Sequence, residues 1–160
     1  LTTSKVTSDF IVDTLQDWWQ QVVPHFPFVK TLQLDMDNGP ENHSRRTQFI
    51  YRLIQFAQGT GLTLELAYYP PYHSKYNPIE RCWAGLENHW NGTLLDTVET
   101  VVRFAQSLKW CGKHPFVKLV TRTYATGVKL TKQAMCACEE RIDRLPNLRK
   151  WFVTICPNTT

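Results

Sequence analysis

Two segments of alternating hydrophobicity, each followed by a helical pattern, constrain the fold of this chain most strongly. Residues 30–37 (KTLQLDMD) and residues 62–69 (LTLELAYY) carry apolar side chains at every second position, a period typical of β-strands. Residues 44–58 and 77–90 carry them at helical spacing instead. The order strand, helix, strand, helix predicts an α/β fold in which helices pack on a sheet.

Capping residues indicate where the helices begin. A further helix is predicted over residues 8–22, with Thr7 or Ser8 as its cap. Ser44 is the predicted cap of the helix over 44–58, and Asn77 that of the helix over 77–90. The predicted buried stripes are Ile11, Leu15, Trp18 and Val22 in the helix over 8–22, and Ile79, Trp83, Leu86 and Trp90 in the helix over 77–90.

The C-terminal part of the chain differs in charge from the rest. Residues 1–102 hold 7 lysines and arginines against 11 acids, whereas residues 103–160 hold 11 against 3. After a helix over 95–108, the pattern predicts a strand over 116–124, a helix over 131–145 and a strand over 151–155. We therefore expect a main domain over 1–110 and a basic, small α+β extension over 111–160, which is either a polyanion contact or a solvated lysine-rich face.

Composition narrows the class of protein. The chain has 160 residues, which suits one domain with a core of its own. It has no run of 18 apolar residues, so no membrane partner is expected. Its five irregularly spaced cysteines are typical of reduced thiols in a cytoplasmic protein. The start at Leu1 lacks Met, and we expect a fragment of a longer protein.

Two acids lie at positions where α/β proteins commonly have their active sites. Asp37 ends the first predicted strand, and Glu80 opens the helix after the second; ligands in such folds bind beyond the carboxyl ends of strands. Carboxylates placed there suit Mg²⁺, and two metal ions could support phosphoryl transfer. The alternatives are ordinary. Asp-Asn-Gly is itself a turn signal, Glu80 completes a capping box with Asn77, and Asp35 fits a polar strand face.

Aromatic and cationic residues interleave with prolines between the two acids, over residues 68–83 (YYPPYHSKYNPIERCW). Such a stiff loop could stack on bases and grip phosphates, or could simply pack on the sheet as a surface loop. Together with the basic tail, it provides the predicted DNA contacts, which are His73, Lys75, Tyr76, Arg81, Lys118 and Arg122.

Five segments together resemble the ISAzo13-type transposase family, also called the Rhodopirellula transposase DDE domain. They are TSDFIVDTLQDWW, LDMDNGPEN, PPYHSKYNPIERCWAGLENHW, GKHPFVKLVTRTYATGVKLT and RLPNLRKWFV. The resemblance implies an RNase H-like fold, with a mixed sheet flanked by helices. It also implies metal-dependent cleavage and joining of transposon and target DNA, in a cytoplasmic, nucleoid-associated protein. The metal would be Mg²⁺ or Mn²⁺, in a two-metal site in the complete enzyme.

By position in the resemblance, Asp37 is the second and Glu80 the third of the family's catalytic acids. Both would ligate metal, and Glu80 would also handle the proton of the nucleophile. Asp35 matches no required acid, so Asp35, Asn38 and Asn77 are at most supports for the metal ligands.

The family's first acid lies on an opening strand that this chain is expected to lack, so the RNase H-like fold would be partial. We therefore expect a fragment that has little activity alone and that self-associates through the exposed strand edge. Two alternatives remain open. One is a non-catalytic transposase remnant that binds DNA or a partner chain, and the other is a different RNase H-like nuclease such as a resolvase.

Overall fold

A computed structural model describes residues 1–70, 73 and 76–157. The chain divides into two compact units. The sheet unit comprises Val6–Tyr72 and Tyr124–Thr160, and the helical unit comprises Leu1–Lys5 and His73–Thr123. The expected functional boundary between residues 110 and 111 stays a prediction.

A mixed four-stranded sheet organises the sheet unit. The strands are β1 (Thr31–Met36), β2 (Thr63–Tyr68), β3 (Ile142–Arg144) and β4 (Phe152–Ile155), in the order β1-β2-β4-β3. β1 and β2 are parallel, and β4 is antiparallel to both β2 and β3. β1 therefore lies at one edge of the sheet, and the carboxyl ends of β1 and β2 lie side by side.

Helices flank this sheet and complete its core. They are α1 (Ser8–Val22), α2 (Thr47–Thr60) and α5 (Lys132–Glu139). Alternation places Leu64, Leu66 and Tyr68 of β2 in the core, where they meet the apolar faces of these helices. Outside the core, Arg52 of α2 pairs with Asp9 at 2.9 Å and Asp13 at 2.5 Å on α1. The predicted α/β fold is thus confirmed.

The helical unit contains α3 (Ile79–Trp90) and α4 (Val98–Ser107). His89 of α3 contacts Ser107 of α4 through a 2.8 Å hydrogen bond and packs edge-on against the Phe104 ring. At Gly85, an added Cβ would lie 3.3 Å from the Trp110 ring, so the small residue permits close packing there. α4 is capped by the Thr97 side chain, which accepts a hydrogen bond from the Thr100 N–H.

Two predicted buried stripes are wrong in detail. In α1, the predicted Ile11, Leu15 and Val22 do pack against the core. Trp18 is 44% exposed, however, and Val12 and Trp19 are the buried residues of this helix. In α3, Leu86 is buried, but Ile79 and Trp83 remain exposed. Helical spacing identifies a common face, but the packing partner decides which part of that face is covered.

The predicted Ser44 cap is also wrong. α2 begins at Thr47, and its N-cap Arg46 makes no capping side-chain bond. Ser44 lies earlier, buried in hydrogen-bonded turns in which the Arg46 N–H donates to the His43 carbonyl. A local turn therefore precedes α2, and the helix begins three residues after the predicted cap.

The strand predicted over 116–124 does not form. Only Val120 pairs, in an isolated bridge with Thr2, because the alternating segment has no partner strand to complete a ladder. The helix predicted over 131–145 stops at Glu139. Its predicted last turns instead form β3, whose Ile142 and Arg144 pair with Ile155 and Val153 of β4.

Candidate functional site

Asp37 follows β1 directly, at the carboxyl end of the parallel strand pair. Its Oδ1 accepts hydrogen bonds from the Asn42 side-chain amide at 2.9 Å and from the Gly39 N–H at 3.3 Å. The side chain is exposed, and within the described residues its Oδ2 accepts no hydrogen bond. One oxygen is therefore fixed while the other faces solvent.

The turn predicted after β1 is present and constrains this carboxylate closely. The N–H groups of Asn42 and His43 donate to the Gly39 carbonyl, at 3.3 and 3.1 Å. A Cβ at Gly39 would lie 2.8 Å from Asn42 Oδ1 and 3.3 Å from Asp37 Oδ1. A side chain at this position would therefore displace the Asn42 amide, and glycine permits the close approach. The same turn that ends β1 therefore also holds the Asp37 carboxylate in place.

Asn42 has a buried Oδ1 with no hydrogen-bond partner in the described part of the chain. The amide is turned so that its N–H₂ group points at Asp37 instead. A buried unpaired acceptor costs on the order of 1–3 kcal/mol, and the hydrogen bond from Asn42 to Asp37 offsets part of that cost. The Asn42 carbonyl also accepts the buried Tyr68 hydroxyl at 2.9 Å, which anchors the loop to β2.

Asp35 and Asn38, which lie close to Asp37 in the sequence, make different hydrogen bonds. Asp35 is exposed on the same face of β1, and its Oδ1 accepts from the Gln33 side chain at 2.7 Å. The Asn38 side-chain amide donates to the Tyr69 carbonyl at 3.2 Å and so joins the ends of β1 and β2. Asn38 thus holds the strand ends that position Asp37, whereas Asp35 is engaged within its own strand.

Glu80 lies in the first turn of α3 and is exposed. The Asn77 side chain does accept the Ile79 N–H at 3.3 Å, but the helix begins at Ile79, after the predicted start. Among the described residues, the Glu80 carboxylate makes no hydrogen bond. The reciprocal half of the capping box is therefore absent, and the carboxylate stays accessible.

The predicted DNA contacts lie in the helical unit, as far as they are described. His73 and Tyr76 are exposed, and their rings stack with centroids 6.0 Å apart and planes at 26°. Arg81 is exposed in the first turn of α3. Lys118 and Arg122 are also exposed. Lys75 lies outside the described residues.

The family model of the Rhodopirellula transposase DDE domain matches residues 1–157. The chain belongs to this family. No curated protein and no solved structure matches the transposase domain. Among its described residues, no helix is both long enough and apolar enough to cross a membrane.

Among the acids of the transposase domain, Asp37 has the chemistry of a ligand for a divalent metal ion. Asp37 offers a hard oxygen donor that is exposed, which fits Mg²⁺ because this ion keeps several waters and takes only one or two protein carboxylates. Over the described ranges, no group of three or more His, Cys, Asp or Glu side chains could hold a metal ion. Asp9 and Asp13, which precede β1, pair with Arg52.

Sequence reasoning missed three residues of this region in the transposase domain. Asn42 fixes Asp37, Tyr68 anchors the loop, and Arg144 donates to the Ser44 carbonyl at 2.9 Å from β3. Asn42 lies five residues from Asp37 in the same loop, so the sequence does offer it as a local hydrogen-bond partner for this acid. The other two contacts depend on which strands are neighbours, and no local pattern indicates them.

Proposed function

We propose that this transposase domain contributes Asp37 and Glu80 as metal-ligating acids for phosphodiester cleavage and DNA strand transfer. The observation that carries the proposal is the Asp37 carboxylate at the carboxyl end of β1, fixed through one oxygen by Asn42 and Gly39 and exposed through the other. The Glu80 carboxylate makes no capping hydrogen bond among the described residues, which supports the proposal that it can bind a metal ion. The assignments themselves come from the resemblance, in which Asp37 and Glu80 take the positions of the family's second and third acids.

Divalent metal, when bound, supplies charge stabilisation and activation of the attacking oxygen. The residues of the domain would hold the metal ligand in place and accept the proton that the reaction releases. Asp37 is held in place by the Asn42 amide, and Glu80 would accept the proton of the attacking water or 3′-hydroxyl. In each step one P–O bond forms as another breaks, and the leaving oxygen gains a proton.

Cleavage of a labelled transposon-end duplex by the transposase at its natural length, with Mg²⁺ or Mn²⁺, tests these assignments. Asp37→Asn and Glu80→Gln should each abolish cleavage while leaving the melting temperature nearly unchanged, because both side chains are exposed. Asp35→Asn on the same strand and Glu87→Gln on the same helix are the matched controls, and both should retain activity. Cleavage that survives Asp37→Asn would contradict the assignment.

DNA binding without cleavage is the second candidate function. It is favoured by the lack of a three-residue metal-binding cluster among the described residues. In that case, the duplex would bind with a steep salt dependence, since phosphate contacts release counterions, and no metal would produce cleavage. The same duplex and protein distinguish the two functions, because binding and cleavage are measured separately.

The edge position of β1 supports a further proposal, namely self-association of the domain. β1 pairs only with β2 among the described strands, so one row of its backbone groups is available for another chain. In analytical ultracentrifugation, the sedimentation coefficient should increase with protein concentration. Amide hydrogen exchange over Thr31–Met36 should become slower under the same conditions. A sedimentation coefficient that stays constant would exclude association in the measured range.

A further inference from the structure

A cleft of about 360 Å³ opens in the sheet unit next to the candidate acid Asp37. Its lining residues are Asn38, His43, Ser44, Arg45, Lys150 and Trp151. Asn38 follows Asp37 directly, and Trp151 precedes β4, with its carbonyl accepting the Tyr68 N–H at 2.8 Å. The cleft therefore lies at the carboxyl end of the parallel strands, the usual position of ligand sites in open α/β sheets.

One buried arginine joins the two walls of this cleft. The Arg144 guanidinium donates to the carbonyl of the lining residue Ser44 at 2.9 Å, and to the carbonyl of Arg149, which precedes the lining residue Lys150, at 3.2 Å. Glu139 holds the same group with two bonds of 2.9 and 2.8 Å. A fixed planar fork of this kind sets the spacing of the walls, so the cleft is built by side chains distant in sequence.

Two cationic side chains line the cleft. Arg45 and Lys150 are exposed, and neither forms a salt bridge in the described part of the chain. The neighbouring Arg46, by contrast, is paired with Glu41 at 2.9 Å. No carboxylate belongs to the lining.

His43 does not add to this charge near neutral pH. Burial, followed by the charges of Arg45 and Arg46, lowers the pKa of its imidazole below the ordinary 6.5. Its Nδ1 accepts the Arg45 N–H at 3.2 Å, as a neutral ring does. Two cations beside the half-buried Trp151 ring are therefore the features that a ligand meets.

We propose that this cleft binds the phosphodiester backbone of a DNA strand, with Arg45 and Lys150 on phosphates and Trp151 against a sugar or base. The inference rests on the proposed function, because it makes the cleft the place where the substrate strand is held beside Asp37. Cationic side chains on phosphates position nucleic acid, and aromatic rings accept bases of any sequence. None of the DNA contacts predicted from the sequence lies in this unit.

Anisotropy of a labelled duplex in EDTA measures this binding without cleavage. Arg45→Gln with Lys150→Gln should weaken binding and lower the slope of log K against log salt by about 1.8, at about 0.9 per phosphate contact. The affinity ratio of the unsubstituted domain to this variant should then shrink about twelvefold between roughly 50 and 200 mM salt. Lys30→Gln with Lys129→Gln removes the same charge from exposed positions outside the cleft, and should change the slope less.

Equal effects of the two double variants would overturn the inference, because net charge alone would then explain the binding. So would a domain that binds no DNA, or displacement of the duplex by millimolar inorganic phosphate at constant ionic strength, which would indicate a free-anion site. Asp37→Asn separates this inference from the proposed function. It should abolish cleavage by the natural-length protein and leave binding in EDTA intact, whereas the cleft variant should weaken the binding itself.

Discussion

Replacing Arg144 with Met should destabilise the fold by about 3–4 kcal/mol. The guanidinium is 9% exposed and donates to the carbonyls of Ser44 and Arg149, and each hydrogen bond from a charged donor contributes about 1.5 kcal/mol. The ion pair with Glu139 adds less than about 1 kcal/mol, because that carboxylate is 41% exposed and screened by solvent. At about 2–4 °C per kcal/mol for a chain of this size, the melting temperature should fall by roughly 10 °C.

Urea unfolding followed by tryptophan fluorescence measures this loss, with circular dichroism for the melting temperature. Arg149→Met is the matched control, because this exposed neighbour uses only its backbone carbonyl in the arrangement; it should cost less than about 0.5 kcal/mol. Arg144→Lys keeps the charge but not the fork, and should recover only part of the stability. A difference below about 1 kcal/mol between Arg144→Met and Arg149→Met would refute the reasoning.

Three further predictions concern the sheet unit. Leu66→Ala should cost about 3–5 kcal/mol in urea unfolding, because it opens a cavity at a fully buried position of β2; a loss below about 1 kcal/mol would contradict this packing. The folded pKa of His43 is lowered by burial and by its neighbouring arginines, so the unfolded chain binds more protons below about pH 6.5 and the free energy of unfolding should fall as pH drops from about 7 to 5. His43→Gln should flatten this dependence, and an unchanged slope would exclude His43 as its source. Burial raises the pKa of the Cys138 thiol, so mass spectrometry should find it alkylated by iodoacetamide after the exposed Cys111 and Cys136, and alkylation at an equal rate would contradict its burial.

Local patterns predicted the elements that carry the candidate acid. β1 and β2 were expected over 30–37 and 62–69 and form over Thr31–Met36 and Thr63–Tyr68. Both could be predicted because period-two alternation and the following Gly and Pro residues act within a few positions. The place of Asp37 at the end of a strand follows from the same local signals.

The alternation of residues 116–124 shows where local patterns fail. A strand needs a partner with matching register, and the sequence does not indicate whether one is available. The same limit applies to β3, whose residues continue a helical pattern and are assigned to the sheet by pairing with β4. Pairing between distant segments decides both cases.

The sequence by itself determined the α/β order, the family, and the position of Asp37 at a strand end, because these depend on periodicity and on short ordered segments. Only the tertiary structure decided how that acid is held and what surrounds it. Asn42 turns its amide to Asp37, and Arg144 reaches the Ser44 carbonyl from 100 positions away. Such contacts arise when the sheet brings distant loops together, and most hydrogen-bonding groups buried there find partners from segments that are distant in the sequence.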